Sequence, residues 1–233
     1  MLASNIISWI KSQSDPEALK GQSRFGITSK NNFGVSINKL RPFAKNIGKD
    51  HKLASELWTT KIHEARLLAT MIDEPEKVTE SQMEKWVKDF NSWDICDQCC
   101  SNLFDKTKYA YQKAFEWSKR KEEYTKRAGF VLMAVLSVHD KKTSDKEFEK
   151  FFKVIKREAK DERNYVRKAV NWALRQIGKR NALLNEKAIE AAKQIFKLES
   201  KTAKWIASDA LRELTNQKVL SRLINKRTNK SNK

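Results

Sequence analysis

The chain has 233 residues, with 48 lysines and arginines against 29 aspartates and glutamates, for a formal net charge of +19. Such a charge calls for a polyanionic partner, nucleic acid or a membrane surface. No stretch is long enough to span a bilayer, no amphipathic anchor or lipidation signal is present, and no glycine-rich loop marks a nucleotide-hydrolysing enzyme, so the expectation is a soluble, cytoplasmic protein.

Six glycines and three prolines interrupt the chain so rarely that an all-α fold is expected. In chain order, MLASNIISWIKSQ opens as a short packed helix without a basic leader or cleavage site. Apolar helices at period 3.6 follow over Ile62–Asp73, Trp93–Phe104, Thr125–Val138, Val166–Gly178 and Ala203–Leu214. They recur about every 30 to 40 residues, each preceded by a more polar helix such as Ser81–Phe90 or Ser144–Lys160, the period of a HEAT-like array. This predicts a right-handed α-solenoid of antiparallel helix pairs over residues 1–224, with a concave basic groove and a basic, disordered tail at 225–233.

Two small clusters look ordinary. Cys96, Cys99 and Cys100 lack further ligands at zinc spacing, and His51, His63 and His139 are scattered, so no metal is expected. Cys96 and Cys99 share a helical face with Ile95 and Leu103 and read as buried thiols. His63–Glu64 lacks the second histidine of a zinc-protease helix and reads as a surface pair.

The run Tyr165–Arg180 is less ordinary. Val166, Val170, Ala173, Leu174 and Ile177 form one apolar stripe, while Lys168, Trp172, Arg175 and Lys179 fall together opposite it. A neighbouring helix covering the indole is one reading of Trp172; an aromatic set among phosphate-reading cations is the other. Arg66, Lys126, Arg127, Arg167, Lys168, Arg175, Lys204 and Arg212 all lie on the candidate inner helices, where some must cap helix ends or pair with Glu64, Asp161 and Glu213. Trp93 and Asp97, four residues apart, share a helical face. Asp94 suits the helix N-terminus; Asp97, one turn deeper, is either a chemical carboxylate or an ion-pair partner of Arg127 or another inner-row arginine.

The order SWDICD (92–97), KRAGFVLMAVL (126–136) and VRKAVNWALRQIGKR (166–180), preceded by FGVSINKLRPFAK (33–45), resembles the AlkD-type, HEAT-like alkylpurine glycosylases of the DNA alkylation repair family over roughly residues 25 to 215. On this resemblance Trp93, Asp97, Arg127 and Trp172 occupy the positions of that family's two tryptophans, catalytic aspartate and arginine, and Arg41, Lys45 and Arg175 its phosphate-contacting positions. Lys168 and Lys179 join them from the basic face around Trp172. The implied activity is cofactor-free, metal-free hydrolysis of the N-glycosidic bond of a 3- or 7-alkylated purine in double-stranded DNA, by a monomer and without base flipping. Ser92 stands where members often carry a second tryptophan, and Ser36 where the glycosylases can carry a larger polar residue. The family also includes paralogues that bind DNA, branched forms among them, with little or no excision. A scaffold for an acidic partner peptide and a single-strand RNA binder are the remaining readings.

Overall fold

The computed structural model describes the backbone of residues 1–231 and the side chains of residues 1–225. From 226 onward, the side chains of the expected basic tail at 225–233 lie outside the described residues, although its backbone belongs to the last helix as far as Ser231. Every regular element described is helical. The chain divides into two compact units, Met1–Ala110 and Tyr111–Lys233.

The first unit contains α1 (Ala3–Ser12), α2 (Pro16–Arg24), α3 (Ile37–Ile47), α4 (His51–Thr59), α5 (His63–Ile72), α6 (Glu80–Lys88), α7 (Trp93–Asn102) and a 3-10 turn at Phe104–Lys106. Asp15, Asp50 and Thr79 cap α2, α4 and α6 by accepting from backbone N–H groups of the first turn. Helix α5 packs against α3, α4 and α7 and is buried along nearly its whole length. Trp58 and Trp86 stack with ring centroids 3.9 Å apart in the core of this unit.

The second unit takes in α8 (Ala110–Trp117), α9 (Glu123–His139), α10 (Asp145–Glu158), α11 (Asn164–Gly178), α12 (Ala182–Phe196), α13 (Lys201–Leu214) and α14 (Gln217–Ser231). Asn181 and Ser200 cap α12 and α13 in the same way. The alternate helices α9, α11 and α13 pack in succession, as do α10, α12 and α14, which is the two-row stacking of helix pairs. Helix α9 is buried on every side from Arg127 to Ser137, as a central helix must be. It approaches α8 so closely that a Cβ on Gly129 would meet the Ser118 backbone nitrogen at 2.5 Å.

Candidate functional site

In the first unit the site begins with a loop, residues 25–36, that has no regular structure to satisfy its amides. Helix α5 supplies the partners. The Glu64 carboxylate accepts from the N–H groups of Phe33 and Val35 at 2.9 and 3.0 Å, and the N–H of His63 donates to the Asn31 carbonyl at 2.8 Å. Glu64 is fully buried and His63 nearly so, which corrects the surface-pair expectation: neighbouring helices and this loop close over the start of α5. Gly34, at φ +77°, is required twice, since a Cβ there would also lie 2.3 Å from the Asp15 carbonyl oxygen.

Trp93 opens α7 directly after the fully buried Ser92, and its indole Nε1 donates to the Phe25 carbonyl at 2.9 Å, tying the helix to the same loop. The two carboxylates of α7 have different surroundings. Asp94 accepts from or shares a proton with His63 Nε2 at 2.8 Å, with 16% of its side chain exposed. Burial raises its pKa, but the His63 hydrogen bond and charge outweigh burial and hold the carboxyl below the usual range. Asp97 is one turn further on and half-buried, on the Trp93 side of the helix. Arg41, exposed on α3, donates to Gln98 Oε1 at 3.1 Å, and Lys45 is exposed one turn later. Cys96, Cys99 and Cys100 are buried, and burial pushes the Cys99 and Cys100 thiols up.

Arg66 is not part of an exposed row. It is 5% exposed, donates to the Trp58 and Asp89 carbonyls and lies 5.1 Å over the Trp58 ring, because α5 is enclosed.

In the second unit Arg127 is 6% exposed on α9 and donates to the Tyr165 carbonyl at 2.6 Å, which aligns it against the first turn of α11. Its neighbour Lys126 pairs with Glu158 at 2.6 Å and Asp161 at 3.3 Å. Along α11, Lys168 is exposed and Trp172, Arg175 and Lys179 are half-buried. Both Arg175 and Lys179 ion-pair with Glu213 of α13, and Asn171 donates to Asp209 at 2.7 Å. One helical turn before Asn171 the seam ends in a cation–aromatic contact, Arg167 over the Trp205 ring at 5.2 Å. Thus residues 167, 171 and 175 of α11, with Lys179 at its C-cap, meet 205, 209 and 213 of α13, at the four-residue repeat of helical faces.

The tryptophans sort clearly. Trp58, Trp86 and Trp117 belong to the core; Trp93 and Trp172 are half-buried, and Trp205 is 40% exposed. Sequence reading missed Trp205, although the signal that marks Trp172 marks it too. It lies off the α13 stripe of Ala203, Ile206, Ala207 and Ala210, next to a lysine.

No group of three or more His, Cys, Asp or Glu among the described residues is arranged to hold a metal ion, and no helix among them is long and apolar enough to cross a membrane. Residues 6–214 match the family model described as DNA alkylation repair enzyme. An uncharacterized protein of Listeria innocua is 28% identical over 169 residues, covering 71% of this chain and 73% of its own. A solved structure, described as "a new family of proteins related to the HEAT-like repeat DNA glycosylases with affinity for branched DNA structures", superposes with a TM-score of 0.77 at 21% identity. That match covers 92% of this chain and 96% of the other, and it shows the HEAT-like repeat fold.

Proposed function

Because the chain belongs to the DNA alkylation repair enzyme family, we propose that it is a DNA glycosylase that releases cationic 3- or 7-alkylated purines from duplex DNA without flipping the lesion into a pocket. An N3- or N7-alkylated purine is already positively charged and departs as a neutral base, so little general-acid help is required. The demanding species is the oxocarbenium-like deoxyribose formed as the C1′–N9 bond breaks with its electron pair going to the base. A carboxylate beside C1′ stabilises that charge and holds the water that attacks C1′, taking up its proton and leaving an abasic site.

Asp97 is the carboxylate assigned to this work. The observation that carries the reading is that Asp97 is half-buried on the same face of α7 as Trp93. In this reading Trp93 and Trp172 flank the deoxyribose, their π-faces favouring developing positive charge. The resemblance assigns Arg127 to a phosphate beside the lesion, a role for which its guanidinium, 6% exposed and bonded to the Tyr165 carbonyl, has to turn outward; Arg41, Lys45 and Lys168 contact phosphates along the strand, with Arg175 and Lys179 sharing that role from their pairs with Glu213. The half-buried state of Trp93 and Trp172 weighs against a protein scaffold in which both are core residues.

The test is release of free 7-methylguanine and 3-methyladenine from methylated duplex DNA. The wild type should release them, and Asp97→Asn should lose at least about a hundredfold in rate while its DNA affinity stays within a few-fold. An unchanged rate would remove Asp97 from the mechanism. A second reading, DNA binding without excision, draws on the solved relative described as having affinity for branched DNA structures. It is favoured if neither protein releases base and both bind tightly.

A further inference from the structure

We propose that Trp205, with Arg167 against its ring, is a second DNA contact that stacks an unpaired base, the neighbouring residues in the chain, Lys168 and Lys204, adding positive charge. The proposal rests on the DNA-binding reading above and adds a ligand feature to it: single-stranded character next to the duplex.

Trp205 keeps 40% of its surface in solvent, on a helix whose Ala203, Ile206, Ala207 and Ala210 supply the core contacts. One face of its ring carries the Arg167 guanidinium, 5.2 Å from the centroid. Arg167 has no carboxylate partner among the described residues; its Nη2 donates to Asn164 Oδ1 at 3.3 Å, its Nε is buried without a hydrogen-bond partner, and its guanidinium lies against the ring. This distinguishes position 167 from 175 and 179 on the same seam, which are matched to Glu213. Lys168 and Lys204 are exposed and likewise lack carboxylate partners among the described residues. An exposed indole with one face on a guanidinium, on helices that also expose Lys168 and Lys204, is complementary to a strand that offers a π-face and a phosphate together. A fully paired duplex stacks its bases internally and offers phosphates alone, whereas a single-stranded extension or a branch point offers both.

The experiment measures anisotropy of labelled DNAs at matched salt: a flush duplex, the same duplex with a single-stranded overhang, and a three-way branch. Trp205→Leu retains apolar bulk and removes the π-face; Trp205→Phe retains a smaller π-face; Lys204→Ala removes only charge. The expected result is that Trp205→Leu weakens binding to the overhang and branch about tenfold while changing flush-duplex binding less than about twofold, with Trp205→Phe recovering most of the loss. Lys204→Ala should weaken all three alike. Equal losses on every DNA for Trp205→Leu, or none on any, would overturn the proposal. Failure of the wild type to bind any of the three would instead overturn the DNA-binding reading itself.

Discussion

Asp94 and Asp97 stand three residues apart on α7 and both are half-buried, Asp94 against His63 and Asp97 on the side that carries Trp93. Asp94 is tied to His63, and with its carboxyl held below the ordinary range it contributes stability that is present above the unfolded carboxylate value of about 3.9 and lost as pH falls through its lower folded value. Asp94→Asn should therefore reduce stability by about 1–3 kcal/mol at pH 6 and flatten the acid limb of the stability curve. Urea unfolding of both proteins between pH 6 and 2.5 checks this. Curves that fall in parallel through the acid range would show that Asp94 is not the linked group. Trp93 opens the helix that carries both carboxylates, and its bond to Phe25 ties that helix to the loop, so loosening the His63–Asp94 pair should disturb the proposed chemistry through position rather than charge.

At the level of elements, the helices were largely legible because each carries its own core stripe. Expected boundaries of 125–138, 166–178 and 203–214 compare with Glu123–His139, Asn164–Gly178 and Lys201–Leu214. Periodicity shows which face of a helix is apolar but not what packs over its polar face. That is why His63 and Glu64 read as surface residues and prove to be the buried support of loop 25–36, and why Arg66 read as a groove cation. Nor could it show that Arg175 and Lys179 meet a single glutamate 38 and 34 residues away. The same limit hides the one position where α9 cannot accept a side chain. Gly129→Ala would drive a Cβ to 2.5 Å from the Ser118 nitrogen and 3.0 Å from the Ala114 carbonyl oxygen, both backbone atoms with little freedom to move. A loss of about 1–3 kcal/mol is expected, read as a lower urea midpoint at unchanged slope. Because α9 also carries Arg127, weaker DNA binding should accompany it; a midpoint equal to the wild type's would mean that α8 can back away.

For the whole molecule, a net charge of +19 already subtracts every paired carboxylate, so it gives the excess of positive charge but not which cations lie open to a phosphate chain. Several cations of the second unit are engaged with carboxylates: Lys126 with Glu158 and Asp161, Arg163 with Asp161, and Arg175 and Lys179 with Glu213. Among the proposed contacts, Arg41, Lys45, Lys168 and Lys204 are exposed without a carboxylate partner among the described residues. At roughly 0.9 per neutralised phosphate, four such contacts give a slope of about −3.6 in log affinity against log salt. Glu213 then becomes a lever on that slope. Its carboxyl, which burial raises, is held below the usual range by Lys179 and Arg175, so it is ionised at neutral pH and competes directly with phosphate for both cations. Glu213→Gln should release Lys179 while Arg175 keeps its pair with Asp209 at 3.6 Å, tighten binding at low salt and steepen the slope by about 0.9, to roughly −4.5. Titration of a labelled duplex from 50 to 300 mM salt measures both proteins on one scale. If Glu213→Gln leaves the slope unchanged, Lys179 serves the α11–α13 seam alone, and the electrostatic footprint contracts to the cations without carboxylate partners.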